Sequence, residues 1–135
     1  MPDIVVERHF SAEPERVWQE IVQPDSLSAW FWPASFDTAA AIEPRVGGRT
    51  RIESRANGMG VSGEVTSVEP ERRLVTTWQW NGEEEVTTVG LTLAPSGSGG
   101  TDLHVQHSGF PDAQSADDHV LGWNDCLDRL TARLG

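Results

Sequence analysis

Between residues 36 and 108 the hydropathy of the chain alternates from one residue to the next, and turn-forming pairs interrupt the alternation at short intervals. Gly47-Gly48, Asn57-Gly58, Glu69-Pro70, Asn81-Gly82 and a Ser/Gly run at 96–100 supply the breaks. The strands they bound span about 38–43, 49–56, 61–68, 73–80, 85–94 and 101–108, and IVVERHF at 4–10 adds another, roughly seven in all. Links this short demand antiparallel neighbours, because a parallel pair needs a crossover of a dozen or more residues.

The same alternation assigns faces. Leu74, Thr76, Trp78 and Trp80 oppose Val75, Thr77 and Gln79; Val89, Leu91 and Leu93 oppose Thr88, Gly90 and Thr92. In the following strand Leu103, Val105 and His107 share a face, which places His107 with the aliphatic side chains and His104 toward solvent. Arg8 falls in line with Ile4, Val6 and Phe10; a register change at the strand end is the favoured explanation, ahead of an inward anion site.

A sheet with one apolar face requires a cover. Residues 113–134 provide it: Val120, Trp123, Leu127, Leu130 and Leu134 recur at spacings of three and four, the stripe of an amphipathic helix. Asp117 and Asp118 near its start and Arg129 and Arg133 near its end suit the helix dipole. Two shorter helices, about Pro14–Val22 and Asp25–Trp30, are separated by Pro24 and lie between the first and second strands. These elements predict an α+β helix-grip fold, a curved antiparallel sheet wrapped around the long C-terminal helix, in one domain over residues 1–135.

Charge narrows the partners. With 10 basic residues, all Arg, against 21 acidic ones, the net charge is −11, and the field repels phosphate backbones and anionic membranes. No nucleic acid and no membrane insertion are expected; no apolar run approaches a spanning helix, and a cytoplasmic location is expected. The lone Cys126 reads as a packing residue.

Six Trp and no Tyr make the aromatic content unusual. Trp78 and Trp80 on one strand face, Trp123 on the helix stripe, and Trp30 and Trp32 at the end of the short helices predict an aromatic cluster, either solid core or the wall of a ligand cavity. Trp18 reads as core. Gly122, beside Trp123, marks either close approach of helix and sheet backbones, the favoured reading, or space left for a ligand. His107 is either a hydrogen-bonded structural group or the polar contact at the cavity end, beside Phe110. Asp117, Asp118 and His119 point in different directions along a helix and read as a solvated helix start; Arg49 and Arg51 read as a solvated strand face.

The segments SAEPERVWQEIVQPDSLSAWFWP, RVGGRTRI, GEVTSVEPERRLVTTWQW, TVGLTLAPSGSGGTDLHVQHSGF and HVLGWNDCLDRL, in this order, resemble the activator of Hsp90 ATPase homologue family of the START-like (SRPBCC) superfamily. The resemblance implies a helix-grip domain with an internal cavity, in a superfamily of lipid carriers, polyketide cyclases and ligand-sequestering resistance proteins. The expectation is a non-enzymatic cavity protein for a small hydrophobic or aromatic ligand, with Trp30, Trp32, Trp78, Trp80, Leu91, Val105, His107, Phe110, Val120 and Trp123 at the ligand. No catalytic residue, metal or cofactor is expected, and the state is monomer or homodimer. Two alternatives stand beside it: an Hsp90-contacting module using an acidic outer surface, and a cyclase or hydrolase cavity with His107 as general base.

Overall fold

The computed structural model describes residues 3–134. Seven strands, β1 (Ile4–Phe10), β2 (Thr38–Ile42), β3 (Arg49–Ser54), β4 (Gly60–Glu69), β5 (Arg73–Trp80), β6 (Thr87–Pro95) and β7 (Thr101–Ser108), form one sheet in the order β1-β7-β6-β5-β4-β3-β2, antiparallel throughout. A bulge between Val65 and Ser67 breaks the β4–β5 register and helps the sheet curl. Helices α1 (Pro14–Val22) and α2 (Pro24–Trp30) and a 3-10 turn (Ala34–Phe36) stand between β1 and β2, and α3 (Ala113–Leu134) crosses the concave face.

Alternation decides which side chains fill the concavity. Leu74, Val89, Leu103 and Val105 on the sheet are essentially inaccessible, as are Leu127 and Leu130 on the helix. Each such aliphatic side chain contributes about 1.5–3 kcal/mol through burial. Trp18 lies in this core at 7% exposure. Arg49 and Arg51 are exposed, with Arg51 paired to Glu53. Among the described residues no helix is long and apolar enough to cross a membrane.

Arg8 departs from expectation. The β1–β7 register runs without interruption from Ile4 to Phe10, so no slip turns the residue outward. Its guanidinium reaches across to α3 instead, donating to Asp128 Oδ1 at 2.8 Å and Asn124 Oδ1 at 3.2 Å. The inward guanidinium is tolerated because the polar flank of α3 supplies the oxygens it needs.

A second polar bridge ties the far end of α3 to α1. Glu20 is 1% exposed, yet its carboxylate accepts from Arg133 Nε at 2.7 Å and Arg16 Nη1 at 2.8 Å. Burial pushes this carboxyl up, but the two guanidinium hydrogen bonds outweigh that and hold it below the usual carboxylate range. The stabilisation is therefore complete above about pH 4.3 and is lost as pH falls through the lowered value. A Glu20→Gln variant should lose about 2–3 kcal/mol of unfolding free energy in urea titration at pH 7, and correspondingly less of its remaining stability on acidification.

At the β2 edge of the sheet the Ser28 hydroxyl of α2 accepts the Ala40 amide N–H at 2.9 Å and lies 3.3 Å from the Ala40 carbonyl. The exit of α2 then delivers Trp30, Phe31 and Trp32 to the middle of α3, where Phe31 meets Trp123 and the Trp32 amide meets Cys126. Trp30 is buried, its indole donating to the Glu20 carbonyl at 2.9 Å.

Candidate functional site

The aromatic side chains meet where the exit of α2, the strand β5 and the middle of α3 converge. Trp78 packs against Trp123 with ring centroids 5.7 Å apart, and Phe31 closes on both at 5.9 and 5.6 Å. Trp32 stacks nearly parallel on Trp80, 6.0 Å apart at 17°, with Phe36 at 5.7 Å from Trp32. These six rings wall a cleft of about 310 Å³ that opens to solvent past Met59, Asp118, Gly122 and Asp125, all exposed. Its size falls at the lower end of small-molecule sites.

Trp32 occupies the left-handed region, φ 70°, which a bulky side chain rarely adopts and which costs about 1–3 kcal/mol. That turn brings its ring over Trp80, and its backbone N–H donates to Cys126 Sγ at 3.4 Å. Cys126 is buried, and burial pushes its thiol up, consistent with a packing residue that also forms part of the cleft wall.

Two histidines fix the indoles. Trp123 Nε1 donates to His107 Nδ1 at 3.1 Å, so a neutral His107 carries its proton on Nε2 and donates to Thr87 Oγ1 at 2.6 Å; that hydroxyl in turn donates to the Trp78 carbonyl. His107 is fully buried, and burial, seconded by the neighbouring His119, lowers its pKa to about 3. Neither of its nitrogens is free to act on a bound molecule. His119 repeats the pattern with the opposite tautomer: Trp80 Nε1 donates to Nε2 at 3.1 Å, while Nδ1–H donates to the Ser115 carbonyl at 2.7 Å.

Of the residues expected at a ligand, Trp32, Trp78, Trp80 and Trp123 line the cleft. Trp30, Leu91, Val105 and His107 lie behind it in the core, and Val120 packs half-buried at its margin. Phe110 lies against His107 at 4.4 Å and walls a smaller hollow of about 30 Å³ beside Trp80, Glu83 and Glu85. Gly122 corrects the backbone-contact expectation: a Cβ there would meet nothing within 4 Å, so the residue abuts open space rather than the sheet. His119 and Asp118 belong to the cleft wall and not merely to a solvated helix start. The spacing of His119, Gly122, Trp123 and Cys126 on one helical face was the available signal.

One buried donor in this wall has no acceptor. Among the described residues Trp78 Nε1 finds no hydrogen-bond partner, although Trp78 is only 4% exposed. An orphaned buried N–H of this kind costs about 1–3 kcal/mol.

The family described as activator of Hsp90 ATPase homolog 1-like protein matches residues 11–135. Among solved structures, protein MLL2253 from Mesorhizobium loti is 29% identical, with a TM-score of 0.83 over 97% of this chain and 95% of its own. Protein CV1439 from Chromobacterium violaceum is 28% identical, with a TM-score of 0.82 over 99% of this chain and 98% of its own. DynU16, a protein in the dynemicin biosynthetic locus, is 27% identical, with a TM-score of 0.82 over 98% of this chain and 46% of its own. No curated protein sequence matches the chain.

Proposed function

The chain belongs to the activator of Hsp90 ATPase homolog 1-like family and has its START-like cavity fold; from that premise we propose that it is a non-enzymatic binder of a small, flat, largely apolar molecule. The observation that carries the reading is the cleft beside the middle of α3, walled by six aromatic rings around about 310 Å³. Indole faces reward a planar ligand with stacking of about 0.5–1.5 kcal/mol per ring pair beyond the area buried. The unpartnered Trp78 N–H offers a hydrogen bond to an acceptor such as a ring carbonyl once side chains adjust around the ligand. The likeness to DynU16, from a biosynthetic locus, accords with a small organic cargo.

Titration with the neutral probe N-phenyl-1-naphthylamine tests this. Saturable 1:1 binding with micromolar affinity and quenching or blue shift of Trp emission is expected. Gly122→Phe places a ring at the cleft wall in a helix position where the glycine has no steric role, so it should abolish binding while leaving the melting temperature unchanged or slightly raised. Absence of saturable binding, or equal binding by Gly122→Phe, overturns the reading. Mass spectrometry of gently purified protein would then identify a retained natural ligand.

A further inference from the structure

The chemistry around the aromatic walls has a sign. Among the described residues no arginine lines the cleft, whose one imidazole is His119, whereas Asp118 and Asp125 both stand at its opening. Asp125 is neutralised by Arg129 Nη1 at 2.8 Å. Asp118 has no such partner: among the described residues its carboxylate accepts only from Gln114 Nε2, at 2.9 Å, a neutral amide one turn earlier. The adjoining hollow continues the rim with Glu83 and Glu85, again with His119 and, among the described residues, no arginine. Arg129 itself reaches this rim, but its charge is taken up by Asp125, and it also donates to the Trp30 carbonyl at 3.0 Å and to Cys126 Sγ at 3.5 Å.

We propose that the ligand of this cleft is a planar organic cation, a protonated aromatic amine or a ring with a quaternary nitrogen, held face-on by the indoles with its charge toward Asp118. The inference rests on the reading of the cleft as a ligand site and adds the charge of the ligand. Six aromatic rings line the cleft, and a cation seated over a ring face is attracted through its electrostatics rather than its area. His119 cannot oppose the charge in the hydrogen-bonded state described, because Nε2 accepts from Trp80 and only Nδ1 carries a proton. At long range the net charge of −11 enriches cations around the molecule, and a concave wall of one sign concentrates that field at its mouth. An anionic ligand meets the reverse of each of these conditions.

Three bicyclic competitors of nearly equal size, displacing N-phenyl-1-naphthylamine at pH 8 and low salt, separate charge from shape: 1-methylquinolinium, uncharged quinoline and 1-naphthoate. The cation should compete about tenfold more tightly than quinoline, and 1-naphthoate most weakly. Asp118→Asn, on an exposed helix surface, should weaken 1-methylquinolinium about three- to fivefold and leave quinoline unchanged. Raising the salt to 0.5 M should erode the cation's advantage and spare quinoline. Equal competition by quinoline and 1-methylquinolinium, or an Asp118→Asn variant indifferent to charge, overturns the cation proposal while leaving the cleft a binding site. Failure of the probe itself to bind removes both.

Discussion

Replacing Trp123 with alanine should lower the unfolding free energy by about 3–5 kcal/mol, a large share of the 5–15 kcal/mol that holds a domain of this size together. The indole is 5% exposed and touches Phe31, Trp78 and His107, so its removal leaves a cavity that cannot collapse without moving three elements. It also deprives His107 Nδ1 of its only donor among the described residues, leaving a fully buried acceptor unpaired. Urea unfolding measures the loss; a cost under about 1 kcal/mol would mean that α3 does not rest on this residue. Trp123→Phe retains most of the ring area without the N–H, so its smaller deficit isolates the hydrogen bond. Binding of N-phenyl-1-naphthylamine to folded Trp123→Ala should fall by more than the unfolded fraction explains.

Acid should destabilise the protein well before its carboxylates are protonated. His107 titrates near 6.5 in the unfolded chain but at about 3 in the folded one. Between these values the unfolded state binds one more proton, so stability rises with pH across that window and falls on acidification. The slope is about 1.4 kcal/mol per pH unit for the single group, which accumulates to roughly 4 kcal/mol by pH 3.5. Denaturant midpoints at pH 7, 6, 5 and 4 measure it. His107→Gln, which keeps a donor and an acceptor at the site without a titrating ring, should be less stable at pH 7 yet show a shallower decline between pH 6 and 4. An unchanged slope in that variant would show that other groups drive the acid transition. The Glu20 bridge enters only lower, below about pH 4.3, so the two contributions separate on the pH axis.

Local pattern carried the fold because the sheet is built of short antiparallel hairpins, each bounded by its own turn residues. Strands β5 and β7 lie at 73–80 and 101–108, where alternation placed them, and α3 at 113–134, where its stripe did. The margins that differ are governed by non-local contacts. The expected strand at 49–56 stops at Ser54 because the Arg55 amide turns to the Asp37 carbonyl, and the 3-10 turn at 34–36 has no periodic signature.

The site was less legible for the same reason. Trp78, Trp80 and Trp123 follow from face assignment, but Phe31 and Phe36 from the α2–β2 connection and Met59 from the β3–β4 connection reach the cleft at a meeting no periodicity encodes. Arg8 was misread because alternation states only that a side chain points inward. The oxygens that receive it, on Asp128 and Asn124, lie more than a hundred residues away. Gly122 was ambiguous in sequence since a missing side chain is equally compatible with contact and with emptiness, and only the surroundings separate the two.

The Ser28–Ala40 contact bears on how this chain behaves in company. A terminal strand with free amides is a template onto which a second molecule can add a strand of its own, the first step toward fibrils or runaway association. At β2 the hydroxyl of Ser28 occupies that backbone hydrogen-bonding position, and α2 lies across the strand as a lid of its own polypeptide. The short helix that delivers the aromatic rings to the cleft thus also guards this edge of the sheet against self-templating, and loosening it would endanger solubility along with recognition.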